Sequence, residues 1–282
     1  MAVGVPGKAA DTMDREMTTE HSGSGDPNRS MELLWGVGER RTRGPRPALS
    51  LDRIVTTAVD IADADGLGAV SMRRIAAELG VGAMSLYRYV PGKAELLDLM
   101  LDKVNGFDRE TAADPVTLGW RALLEQVARG VWDLYGRHPW LVHVDQARPI
   151  LGPGALSGLD YALAGLASLP LSDRERMNLV VILDGFVTGT ARSRVTSEQA
   201  EQRTGISDED FWKAQAPILE RVMSSGAYPA LAALTEDAFS SGWQEIFDLG
   251  LGQLLDGMEA FITRRERERE GTGRAGADDR AG

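Results

Sequence analysis

Apolar positions recur at steps of three and four from Ser50 onward, and no β-branched run alternates convincingly enough to be a strand. Leu51, Ile54, Val55, Ala58 and Ile61 line one face of a helix behind a Ser50 N-cap, with a stop at Gly66. Ser71 caps a second, short helix whose Met72, Ile75, Ala76 and Leu79 face one way while Arg73, Arg74 and Glu78 face the other; Gly80 ends it. After the tight turn Leu79-Gly80-Val81-Gly82, the segment Ala83–Val90 restarts the pattern, with Leu86 and Val90 pointing inward. Two short helices about such a turn form a helix-turn-helix. Pro91-Gly92 interrupts the chain, and Lys93 opens a longer amphipathic helix through Leu96, Leu97, Met100, Leu101 and Val104.

Beyond Asp114 the pattern is helical near 115–137, 154–168, 172–195, 208–225 and 239–268, so the expected fold class is all-α. The polar run Thr196–Ser207 reads as a surface loop. Ile246, Phe247, Leu249, Leu251, Leu254, Leu255, Met258, Phe261 and Ile262 form a stripe wider than one neighbouring helix needs, which points to a subunit interface. Residues 269–282 are expected as a disordered tail. So are residues 1–30, which lack any hydrophobic period to offset an ordering cost of ~1–2 kcal/mol per residue. Between them and the first helix lie residues 31–47. Their apolar patch MELLWGVG is expected to dock Leu33, Leu34 and Trp35 on the folded part, with partner binding as the alternative. The basic run Arg40–Pro47 follows, either an arm for a minor groove or a solvated charge run. The expected domains are therefore 48–93 for the helix-turn-helix and 94–268 for a linker helix with a larger helical domain.

Charge changes the picture. The net charge of −11 argues against nucleic acid until it is divided: residues 1–39 hold 3 basic and 7 acidic side chains, 40–93 hold 9 and 5, and 94–282 hold 19 and 30. DNA contact is thereby confined to one short cationic block. With no cysteine, no apolar run of membrane-spanning length and no export signal, the expected setting is the cytoplasm, without disulfides or thiolate metal sites.

In a helix-turn-helix the second helix lies in the major groove. Here Ala83 and Met84 can pack on thymine methyls, Ser85 can bond a base edge, and Arg88 can fork onto guanine or hold phosphate. Tyr87, Tyr89 and Lys93 have polar tips suited to phosphate, and Arg73 is a further guanine candidate. For any one tyrosine, half-buried packing is the competing role; the joint occurrence of turn, caps and cationic block favours DNA.

Ser71–Leu101, SMRRIAAELGVGAMSLYRYVPGKAELLDLML, resembles the DNA-binding signature of the TetR (tetracycline repressor) family, through its IAxELGV second helix, SLYRYV recognition helix and GKAELL opening of the fourth. FDLGLG (247–252) followed by LLDGMEAF is similar to the C-terminal domain of the tetracycline-repressor branch. The resemblance implies an all-helical homodimer that binds a palindromic operator and is released by a small molecule. Base contacts would fall on Arg73, Met84, Ser85 and Arg88, phosphate contacts on Ser71, Tyr87, Tyr89 and Lys93. The residues before Met31 exceed the family's usual arm, and no histidine-and-acid set for a magnesium-bound tetracycline is present. No cofactor is expected.

For the effector, Trp120, Trp132, Trp140, Asp184 and Phe186 are candidate pocket residues, as are Tyr161 and Trp212, though core packing is the commoner role for any one aromatic. Asp184, inside VVILDGFVTG, needs a partner if buried: a ligand, or Arg192 two turns on. His138 and His143 are poorly spaced for a metal and are read as packing or capping near a helix end. Asp63 and Asp65 read as capping or solvated charge. Nucleophile elbow, phosphate loop and HExxH motifs are all missing, so no enzyme is expected. The alternative to a regulator is a ligand- or partner-binding helical protein with degenerate, non-specific DNA binding.

Overall fold

In the computed structural model, which describes residues 19–37, 49–107 and 112–278, Ser50 Oγ accepts the Arg53 amide at 3.2 Å and starts α2, Leu51–Asp65. Before it stand a two-residue strand, β1 (Glu20–His21), and α1 (Pro27–Leu34). After it come α3 (Met72–Leu79), α4 (Ala83–Leu86), α5 (Lys93–Val104), α6 (Pro115–Leu118) and α7 (Trp120–Arg137). A 3₁₀ turn at Pro139–His143 leads into β2 (Val144–Asp145), then α8 (Pro153–Leu166), α9 (Asp173–Thr204), α10 (Asp208–Met223), α11 (Pro229–Ala232) and α12 (Trp243–Asp278). The all-α reading holds, with one parallel pair of very short strands, β1 beside β2, added to it.

The chain forms two compact units that divide inside α9, at Val180–Val181. In the first, Ile54, Val55, Ala58 and Ile61 of α2 bury with Ile75 and Ala76 of α3, and Leu86 and Val90 complete that core. The core continues through α5, whose Leu96, Leu97 and Met100 are buried, and α5 packs on α1, α2 and α8. That packing explains why no compactness boundary falls at residue 93. A second cluster joins Leu123, Leu124 and Trp132 of α7 to Tyr161 and Leu166 of α8. Gly165 lets the two helices approach closely there: a Cβ would stand 2.7 Å from Leu123 Cδ1 and force that buried side chain to shift.

In the second unit α9 buries Leu183, Val187, Ala191 and Val195, one per turn, and α12 buries Phe247, Leu251, Leu255, Met258 and Ile262. Phe186 and Phe247 stack at 6.0 Å between centroids. Each helix also leaves apolar side chains uncovered: Val181 (57% exposed) and Ile182 on α9, Ile246 and Leu249 (66%) on α12. The stripe on the last helix is thus wider than its contacts within the protomer use.

The sequence reading needs four corrections. Residues 19–30 are not a structureless tail: they hold β1, a turn and most of α1, because distant side chains satisfy their backbone, as shown below. The segment Thr196–Thr204 is helical, since Glu, Gln, Ala and Arg favour helix once α9 is nucleated. The helix also runs on past residue 268 to Asp278, by the same economy of propagation and with Arg265 paired to Glu268 at 2.6 Å. Finally, α4 is shorter than Ala83–Val90: Pro91 disfavours helical backbone at Val90, and the chain closes in a turn in which Tyr89 and Val90 share the Leu86 carbonyl, their amides donating at 2.8 and 2.9 Å. The basic run 40–47 lies outside the described residues, as do residues 1–18 and 279–282 of the expected tails.

Candidate nucleic-acid interface

The interface is built by α3, the turn and α4. Ser71 Oγ accepts the Arg74 amide at 3.2 Å and fixes the start of α3. Gly80 ends α3 in the left-handed region (φ 67°), and Val81 donates its amide to the Ala76 carbonyl at 2.9 Å. These two constraints turn the chain within a few residues, and Gly82 then caps α4. Leu86 and Val90 are fully buried, which rotates Met84 (78% exposed), Tyr87 and Arg88 outward, with Ala83 and Ser85 half-buried beside them. One face of a four-residue helix is thereby committed to the core and the other to whatever lies outside.

The arginines of α3 separate into two kinds. Arg74 is held by Asp65 at 3.2 Å and Glu78 at 3.8 Å. Arg73, its neighbour, and Arg88 are exposed and, among the described residues, have no carboxylate partner. An exposed guanidinium that keeps its donors uncommitted suits a phosphate or a guanine edge.

Two expected phosphate contacts are engaged within the protein. Tyr89 donates its hydroxyl to the Leu49 carbonyl at 3.0 Å and so anchors the chain where it enters α2. Lys93, at the first position of α5, donates to Glu20 Oε1 at 2.9 Å.

Below this surface, α5 turns three carboxylates inward, Glu95, Asp98 and Asp102, all buried and spaced along one face. Asp98 (2% exposed) accepts from the Gly23 amide at 2.9 Å, Ser22 Oγ at 3.2 Å and Ser30 Oγ at 2.7 Å. Glu95 accepts the Asp26 amide at 3.1 Å. Asp102 accepts the Gly154 and Ala155 amides at 3.1 and 3.0 Å, capping α8 from a distant part of the chain. A buried carboxylate is tolerable only with such partners. Gly154 is obligatory here: a Cβ on it would lie 2.2 Å from the Asp102 carbonyl oxygen. The periodicity analysis found the leucines of α5 and missed these acids; an acid at i, i+3 and i+7 among core positions was the available signal.

A further link runs from α2 to the end of α7. Asp63 Oδ1 lies 2.8 Å from His138 Nδ1 and accepts from Trp140 Nε1, also at 2.8 Å. His138 is the C-cap of α7, in keeping with its expected capping role. Asp65, a charge about half exposed to solvent, pairs with Arg74 at the surface.

The candidate pocket residues are dispersed. In the first unit Trp132 and Trp140 are buried, Tyr161 is buried with its hydroxyl on the Ala113 carbonyl at 2.9 Å, and Trp120 is half-buried at a shallow depression with Leu118, Arg121 and Glu125. Asp184 and Phe186 belong to the second unit, and Trp212 there is 59% exposed, no core residue within the protomer. Asp184 keeps an exposed edge, yet the protein packed around its carboxyl desolvates it and raises its pKa. Arg192 is not its partner along the helix: eight residues at 1.5 Å rise separate them by about 12 Å. Among the described residues, no group of three His, Asp or Glu side chains is placed to hold a metal ion, and no helix is long and apolar enough to cross a membrane.

Known proteins resemble the chain over both parts. The family described as bacterial regulatory proteins, tetR family, matches residues 54–100, and the tetracyclin repressor-like C-terminal domain matches residues 114–262. The chain is 52% identical to the HTH-type transcriptional repressor DrrR1 of Streptomyces coeruleorubidus over 254 residues, 90% of this chain and 93% of that one. It is 25% identical to the class E tetracycline repressor protein of Escherichia coli over 222 residues, 77% of this chain and 94% of that one. Among solved structures, ActR of Streptomyces coelicolor in complex with actinorhodin superposes with a TM-score of 0.62 at 29% identity, covering 77% of this chain and 98% of that one. With a helix-turn-helix in place, both halves matched and a repressor at that identity along nearly its whole length, the chain belongs to the TetR family of bacterial transcriptional regulators.

Proposed function

We propose that the protein is an operator-binding repressor that grips a palindromic site as a homodimer in the cytoplasm and lets go when a small organic molecule binds its C-terminal part. The observation that carries the DNA reading is the outward α4 face with Arg73 and Arg88, set in the one cationic block of an acidic chain. Arg73, Met84, Ser85 and Arg88 are assigned to base edges, with Ala83 packing on a thymine methyl; Ser71, Tyr87 and Lys93 are assigned to phosphates. Tyr89 is assigned to phosphate only through the backbone it anchors.

The uncovered apolar side chains of α9 and α12 support the dimer, since contiguous exposed apolar surface marks an interaction site. A two-fold dimer would present two α4 helices about 34–36 Å apart, one turn of duplex. The effector reading is supported by ActR, which has been crystallised with actinorhodin; Trp120, Trp132 and Trp140 in the first unit, and Phe186 with the desolvated Asp184 in the second, are assigned to it as separate candidate contacts.

The deciding experiment is a titration of the purified protein on the intergenic duplex beside its own gene against a scrambled duplex, at physiological salt. A specific regulator prefers the first by roughly 4 kcal/mol or more, and actinorhodin or tetracycline added as a probe reports on release. Equal affinity for both duplexes would sink the operator reading in favour of non-specific binding.

A further inference from the structure

Lys93 stands at the edge of the helix-turn-helix, at the first position of α5, where its ammonium is assigned to a DNA phosphate. In this structure it donates instead to Glu20 Oε1 at 2.9 Å, and both side chains remain about one-third accessible to solvent. A single-point ammonium–carboxylate contact has the same chemistry as an ammonium–phosphate contact. We propose that Glu20 is an internal substitute for DNA phosphate that competes for Lys93 and lowers the affinity of the resting protein for DNA. The inference rests on the assignment of Lys93 to a phosphate.

Glu20 does not reach Lys93 by chance of a loose tail. It pairs with Val144 in the β1–β2 ladder, and the Ser22 amide continues that ladder onto the Asp145 carbonyl at 3.0 Å. At the next residue the chain turns, at Gly23 (φ 67°), and is tied to α5 by Asp98. The carboxylate is therefore carried on backbone fixed from both sides, one side being α5 and the other the segment that follows the 3₁₀ turn at 139–143. Such placement cuts the entropic cost of holding the pair, and makes Glu20 a standing competitor. It also makes the competition adjustable, because a shift of β2 that carries β1 along would draw Glu20 away from Lys93.

The test is a double-mutant cycle of Glu20→Gln and Lys93→Met, read as affinity for the intergenic duplex beside the protein's own gene over a series of salt concentrations. Both positions are partly exposed, and unchanged melting temperatures certify that the variants fold. The expected result has three parts. Lys93→Met weakens binding and lowers the salt slope by about 0.9 per half-site. Glu20→Gln tightens binding by about two- to fivefold per half-site, the strength of a partly exposed ion pair. In the Lys93→Met background Glu20→Gln changes nothing. If Lys93→Met alone leaves affinity and slope untouched, the phosphate assignment of Lys93 fails and the inference falls with it. If Lys93→Met weakens binding but Glu20→Gln has no effect, weakens it, or tightens it equally in both backgrounds, the assignment stands and the competition is overturned.

Discussion

The outer face of α3–α4 and the inner face of α5 both carry charged side chains and use them in opposite ways. On the first, Arg73 and Arg88 are exposed and keep their donors uncommitted. On the second, Glu95, Asp98 and Asp102 are buried and every one accepts a backbone amide from another segment. The difference separates two functions of polarity. Outward groups cost little to leave unpaired in water and can be turned over to a ligand, whereas inward ones must be matched and so fix geometry.

This contrast breaks first at Asp98. Asp98→Ala would strand three donors around a buried site and is expected to destabilise the protein by about 3 kcal/mol, read as a lower urea midpoint at unchanged slope. On the outward side, Arg73→Ala should leave stability unchanged and cost ~1–3 kcal/mol of preference at one base pair. An equal loss on all sequences would make Arg73 a phosphate anchor instead. Tyr89 sits between the two regimes: Tyr89→Phe removes only the bond to the Leu49 carbonyl and should cost about 1 kcal/mol of stability, with no change in the salt slope of DNA binding. A lowered slope would restore Tyr89 to direct phosphate contact.

The smallest effect is expected at Asp184, whose raised pKa means that the folded protein binds its proton more tightly than the unfolded chain does. Stability from this group is therefore present at low pH and is lost as pH rises from the ordinary carboxylate value through the raised one. Asp184→Asn should raise the melting temperature slightly at pH 7 and leave it unchanged at acid pH, checked by thermal scans at both.

The helix-turn-helix was legible because its signals are local. Ser50 and Ser71 cap the helices they precede, Gly80 takes the left-handed turn, and Leu86 and Val90 fall inward at one helical turn. The strand and helix at 20–34 were not legible, because their order comes from acceptors on Asp98 and Glu95, some seventy residues away, and no pattern inside the segment announces them. The apolar patch that follows was partly legible: Leu33 and Leu34 are half-buried as expected, while Trp35 stays largely exposed and docks by its indole N–H on the Leu151 carbonyl at 3.2 Å. Thr196–Thr204 misled because polarity alone was taken for a loop, although its residues are competent helix formers. The pocket was the least legible part, since isolated aromatics look alike whether they line a cavity or fill a core.

The pairing of Glu20 with Val144 also has a temporal meaning. A chain made from its N-terminus leaves the ribosome with the helix-turn-helix able to condense on its own local signals, while the strand ahead of it must wait until β2 has been synthesised. During that interval Lys93 has no ladder-held Glu20 beside it, so the restraint proposed for Lys93 is among the last features of this unit to form. Synthesis of the middle of the protein, and not of its helix-turn-helix, is what allows the Glu20–Val144 ladder to form.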